Sequence, residues 1–139
     1  MAGYSGTPLP RKLGIKPEHR VLLHAAPDGF DRTLEPLPDG VRVQPNLRSP
    51  GPFDVAIGFV LSQRRLDLDL PKLKERLATD GGLWIAWPKK ASGVKTDVSE
   101  TEVRRAGLAT GLVDNKICAV DETWSALRFV YRLADRIRT

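Results

Sequence analysis

Phe53-Asp54-Val55-Ala56-Ile57-Gly58-Phe59-Val60 (FDVAIGFV) contains a single charged residue. A strand with one wet face would alternate apolar and polar side chains. A run that is apolar on both sides belongs in the middle of a parallel sheet with helices on each face. Leu83 to Trp87 (LWIAW) reads the same way, and Arg20 to Ala26 (RVLLHAA) is a third buried strand, ended by Pro27-Asp28-Gly29. Val41 to Gln44 is a short strand after the Asp39-Gly40 turn.

Helical spacing fills the gaps. Phe30 to Leu37 makes a short helix stopped by Pro36 and Pro38. Leu66, Leu70, Leu73 and Leu77 lie on one helical face, with Ser62 as N-cap. Pro71 is expected to kink or divide that helix, and Asp80-Gly81-Gly82 to end it. Ser99 with Glu102 forms a capping box, Val98 with Val103 forms its hydrophobic staple, and Gly111 is the stop. Residues 112–121 and 127–133 are strands separated by 122–126 only, so they pair antiparallel.

The order is β-α-β-β-α-β-α-β-β. Strands alternating with helices give an α/β fold: a mostly parallel Rossmann-like sheet, helices on both faces, and a C-terminal antiparallel hairpin. About eight residues join the second strand to the third, fewer than a parallel crossover usually needs. The second strand spans only roughly 13 Å, a distance an extended segment covers. Residues 1–139 form one domain, and residues 1–12, rich in Gly, Pro and hydroxyls, are expected to be an extended N-terminal arm.

Composition narrows the function classes. Hydrophobic residues at 41% and charged residues at 28% exclude a disordered chain. One cysteine, Cys118, rules out an intrachain disulfide, and no Cys/His cluster offers a metal site. No apolar stretch is long enough to cross a bilayer and no secretory signal opens the sequence, so the protein is expected to be cytoplasmic and away from membranes. The net charge is +5. The basic pairs Arg11-Lys12, Arg64-Arg65, Lys89-Lys90 and Arg104-Arg105 lie far apart among acids, which reads as solvated surface rather than a nucleic-acid face.

In open α/β sheets, ligands bind beyond the carboxyl ends of the strands. Two loops there stand out chemically. Trp87-Pro88-Lys89-Lys90-Ala91-Ser92-Gly93 combines an indole, two lysines and a hydroxyl, and Asp121-Glu122-Thr123-Trp124 adds two carboxylates, a hydroxyl and a second indole. As a site, Lys89 or Lys90 would meet a small anionic ligand, Ser92 would donate to it, and Trp87 or Trp124 would wall it. As structure alone, the lysines would pair with Asp121 and Glu122, and both tryptophans would be core. Cys118 and His24 fall inside strands, where a buried thiol is inert and a histidine is a satisfied core residue, so neither is read as catalytic.

Leu13-Gly14-Ile15-Lys16-Pro17 leading into Arg20-Val21-Leu22-Leu23, Phe53-Asp54-Val55, the Leu77 to Leu83 junction (LATDGGL) and the final hairpin together resemble the class I methyltransferase fold with a piece missing. More closely, GYSGTPL at 3–9, WPKKASG at 87–93 and GLVDNKICAVDETWSALR at 111–128 resemble a family of small bacterial proteins, a domain of unknown function. The first resemblance implies S-adenosylmethionine, held by a glycine-rich turn after the first strand and an acid near the first or second. Here that turn is Ala25-Ala26-Pro27-Asp28-Gly29, with one glycine and a proline that lacks an N–H. Asp28 and Gly29 are the residues left for the cofactor, and the second strand ends Gln44-Pro45-Asn46 without an acid. The expectation is a reduced methyltransferase-like module without methyl transfer and without a bound cofactor, taking a small anionic ligand at the sheet's carboxyl edge. A divergent S-adenosylmethionine-dependent methyltransferase and a weak nucleic-acid-binding protein are the alternatives.

Overall fold

A computed structural model describes residues 7–136. Six strands, β1 (Arg20–His24), β2 (Arg42–Gln44), β3 (Phe53–Phe59), β4 (Leu77–Pro88), β5 (Val113–Ala119) and β6 (Trp124–Val130), form one sheet in the order β2-β1-β3-β4-β6-β5. β1, β2, β3 and β4 are mutually parallel, and β6 runs antiparallel to both β4 and β5. The two-sided apolar runs are the central strands: β3 and β4 are neighbours, and Phe53, Ala56, Ile57, Leu83, Trp84, Ile85 and Ala86 are fully buried. β2 and β3 flank β1 on opposite sides, so residues 45–52 return the chain across the sheet with no helix.

Helices α3 (Gln63–Glu75) and α4 (Glu100–Ala109) cover one face. Leu66, Leu70, Leu73, Val103 and Ala106 pack there on Leu22, Ile85, Leu127 and Phe129. Among the described residues, the other face carries the single turns α1 (Leu9–Lys12) and α2 (Phe30–Thr33), with Leu13, Ile15, Phe30 and Leu34 on Val21, Ile57, Trp84 and Ala126. The Trp84 indole N–H donates to the Leu13 carbonyl at 3.0 Å, tying the N-terminal segment to the central strand.

Several boundaries differ from the sequence reading. Leu9–Lys12 is helical rather than part of an extended arm: Pro10 sits in its first turn, where a missing N–H costs nothing, and is buried. Residues 1–6 of the expected arm lie outside the described residues. The helix over 30–37 closes after one turn. α3 runs through Pro71: the ring removes the N–H that would bond the Asp67 carbonyl, and both Pro71 and Asp67 are exposed residues. Leu77 begins β4 rather than ending the helix. An irregularity between Phe53 and Val55 on β3 absorbs Ala78–Gly81, and a Cβ on Gly81 would stand 2.8 Å from the Asp54 carbonyl oxygen. The second hairpin strand starts at Trp124 instead of Leu127, and Leu133–Arg136 is a short helix, α5. No described helix is long and apolar enough to cross a membrane.

Candidate ligand site at the carboxyl edge of the sheet

β1 ends at His24, and the chain then turns sharply. Ala25 takes a left-handed backbone (φ 58°), and Gly29 takes another (φ 82°) as the N-cap of α2. Beside it, β3 ends at Phe59 and the chain enters α3 through Ser62, whose hydroxyl accepts the Arg65 N–H at 3.1 Å. These two turns set His24 against the first turns of α3. The His24 Nε2 lies 3.0 Å from Asp69 Oδ2, and an Arg65 N–H donates to Asp69 Oδ1 at 2.6 Å.

Asp69 is the one charged residue buried among the described residues, at 1% exposure. An isolated buried carboxylate is costly unless paired and hydrogen-bonded, and Arg65 and His24 between them engage both of its oxygens. The Arg65 side chain remains half exposed and that of His24 slightly so. Both reach a cleft of about 300 Å³ whose other walls include Pro27, Phe59 and Trp124. The aromatic side chains pack edge to face. Phe30 meets Phe59 edge-on at 4.8 Å, and Phe59 meets Trp124 perpendicularly at 5.0 Å. The volume is at the lower end of small-molecule sites, and the composition suits one: an apolar aromatic wall facing a cation held in place by a buried carboxylate.

The residues singled out in the sequence distribute round this edge. Gly29 turns the chain into α2, and Asp28 is exposed beside it with its carboxylate in no hydrogen bond among the described residues. The loops after β4 and β5 do emerge side by side: the Lys89 N–H donates to the Thr123 carbonyl at 2.8 Å. Their side chains serve mainly local geometry. Ser92 donates to the Lys89 carbonyl at 2.6 Å and accepts the Val94 N–H, while Asp121 Oδ1 accepts the N–H groups of Thr123 and Trp124, each at 2.8 Å. Among the described residues Lys89 and Lys90 form no ion pair with Asp121 or the exposed Glu122. The tryptophans part company. Trp87 packs on the α3/α4 face, where it and Lys90 border a smaller hollow of about 250 Å³, whereas Trp124 walls the His24 cleft on the other side.

His24, Arg65 and Asp69 were not among those residues. His24 is satisfied, as expected of a strand histidine, but it closes its strand and borders the cleft. The available signal was Asp69 itself, a carboxylate set among Leu66, Leu70 and Leu73 on an apolar helical stripe. No group of His, Cys, Asp and Glu among the described residues could hold a metal ion.

The geometry can be tested against S-adenosylmethionine. The turn after β1 offers Pro27, which has no N–H, and leads into a helix of one turn. β2 is a three-residue edge strand with exposed ends and no acid at its close. Phe30 folds inward onto Phe59. Of the glycine-lined approach and acid that the cofactor ordinarily meets in such a fold, the turn after β1 offers Gly29 and the exposed Asp28.

The chain matches no protein-family profile and no curated protein sequence. Its fold does match solved structures. The DhpI–SAH complex superposes with a TM-score of 0.63 at 14% identity, over 91% of this chain and 83% of that one. A TehB-like SAM-dependent methyltransferase from Corynebacterium glutamicum gives 0.60 at 12% identity, over 94% and 91%. A SAM-dependent methyltransferase from Aquifex aeolicus gives 0.60 at 15% identity, over 86% and 85%. The chain therefore has the Rossmann-like fold of SAM-dependent methyltransferases.

Proposed function

We propose that this protein is a reduced methyltransferase-fold module that binds a small anionic ligand in the His24–Arg65–Trp124 cleft and does not transfer methyl groups. The observation that carries the reading is the buried Asp69. It holds Arg65 and His24 at the cleft mouth, and Arg65 keeps donors free for a carboxylate or phosphate oxygen. Phe59 and Trp124 supply the surface for an apolar body attached to that acidic group.

The second reading is a divergent S-adenosylmethionine-dependent methyltransferase. Its support is the fold shared with enzymes of that kind and the cleft's place at the carboxyl ends of β1 and β3. A thermal-shift panel of S-adenosylmethionine, nucleotides, sugar phosphates and aryl carboxylates, followed by calorimetry, separates the two. The proposal expects a small anion to raise the melting temperature in the wild type and to lose that effect in Arg65→Ala. Low-micromolar binding of S-adenosylmethionine, weakened by Asp28→Ala, would establish the second reading instead.

A further inference from the structure

α1 lies beside the edge strand β5, and the two frame a groove of about 430 Å³ bordered by Thr7, Arg11, Lys12, Lys116, Ile117 and Cys118. Arg11-Lys12 and Lys116 are more than a hundred residues apart in the sequence, where the charge looked scattered. The fold gathers them round one hollow. The Lys12 ammonium donates to the Ala119 carbonyl at 3.1 Å, which fixes it at the groove wall, and Arg11 and Lys116 are exposed.

None of these three cations is neutralised among the described residues. The ion pairs there engage Arg65, Arg76, Arg104, Arg132 and His24. Among the described residues no carboxylate borders the groove, and the six residues that precede Thr7 in the sequence include no acid. Cys118 senses the same field: burial pushes its thiol above the ordinary range, while Lys12 and Lys116 pull it back down. Three unneutralised like charges round one concavity repel one another and raise the local concentration of anions.

We infer that the α1–β5 groove is a second anion site, separate from the carboxyl-edge cleft, and that it takes a small multiply charged phosphate ester. The groove is the size of a small-molecule site. Its described walls lack the aromatic platforms on which single-stranded nucleic acids stack their bases. Thr7 adds a hydroxyl donor, and Ile117, half exposed, gives an apolar shoulder.

Cys118, the sole cysteine, makes the test local. Inorganic pyrophosphate is the probe, and the rate of Cys118 alkylation by iodoacetamide near pH 8 is the readout. At about ten times its dissociation constant, pyrophosphate should slow alkylation about tenfold in the wild type. Arg11→Ala/Lys116→Ala should abolish that protection while leaving the melting temperature of the ligand-free protein unchanged, and Arg11→Gln/Lys116→Gln serves if the alanine pair folds poorly. Arg65→Ala should leave the protection intact, because the inference does not rest on the cleft. Absence of protection in the wild type, or protection that persists in the double variant, would overturn the assignment. Tighter protection by a short RNA than by pyrophosphate at physiological salt would overturn the choice of ligand.

Discussion

Gly107 on α4 lies flat against the ring of Phe129 on β6, so closely that a methyl group at residue 107 would overlap the ring. Glycine inside a helix costs about 1 kcal/mol relative to alanine, and helix propensity alone would favour replacing it. Overpacking a rigid buried ring costs about 1–3 kcal/mol, and here the overlap is severe. Gly107→Ala is expected to lower stability in urea denaturation by roughly 1–2 kcal/mol net. Adding Phe129→Leu should recover part of that loss as a coupling term. A stabilised Gly107→Ala protein would show that α4 stands further from the sheet than described.

The capping box of α4 makes stability depend on acid. Glu102 accepts the Ser99 N–H at 2.7 Å and the Ser99 hydroxyl on the same oxygen. The Ser99 hydroxyl is the main reason the Glu102 carboxyl sits below its ordinary value, and the Ser99 N–H adds to it. Its folded pKa is therefore lower than its unfolded one. The contribution is fully present above the ordinary carboxylate pKa and is lost as the pH falls through the folded value. Glu102→Gln should flatten the acid limb of the stability profile. Ser99→Ala should cost about 0.5–2 kcal/mol at neutral pH. Superimposable acid limbs for wild type and Glu102→Gln would refute the linkage.

The two polar loops at the carboxyl edge should respond unequally. Asp121 holds two backbone N–H groups, so Asp121→Ala is expected to cost about 1–3 kcal/mol. Lys90 is exposed and unpaired with that loop, so Lys90→Ala should change stability by no more than about 0.5 kcal/mol. Equal losses in thermal melts would indicate that the lysine and the carboxylate do pair.

Asp69 depends on Arg65 although Arg65 is half exposed. Arg65→Ala should cost about 1–3 kcal/mol, well above an ordinary surface substitution, because it strips one of two partners from a buried carboxylate. Combining it with Asp69→Leu should restore much of the loss, since removing a whole buried pair is often neutral. A double-mutant cycle with no coupling between residues 65 and 69 would contradict the arrangement.

How far the sequence could reveal all this follows from what each signal measures. FDVAIGFV and LWIAW announced the central strands because two-sided burial leaves little room for polar residues. Ser99 and Glu102 announced α4 because a capping box needs both residues at one spacing. The hairpin boundary slipped by three residues, since the apolar run continues through Tyr131 and Leu133 while the turn is closed earlier by the side chain of Asp121. Pro71 misled because its missing N–H matters little on an exposed helix face. The cleft was harder to see. His24, Arg65 and Asp69 come from two elements whose pairing depends on tertiary packing, and apolar periodicity is blind to one carboxylate on an otherwise greasy stripe. The two loops chosen by the carboxyl-edge rule are adjacent, but strand alternation sends Trp87 and Trp124 to opposite faces.

The unequal cover of the sheet has a kinetic meaning. Single-turn helices such as α1 and α2 have little stability of their own, since isolated helices below about 12–15 residues are marginal in water. Their side of the sheet should therefore open locally at a free energy well below that of global unfolding, while the side under α3 and α4 stays shut. Amide hydrogen exchange would register this as two protection tiers on one sheet. Phe59 and Trp124 pack on that thin side together with Phe30 and Leu34, so the amides of residues 9–15 and 30–34 should exchange first, ahead of those of α3 and α4.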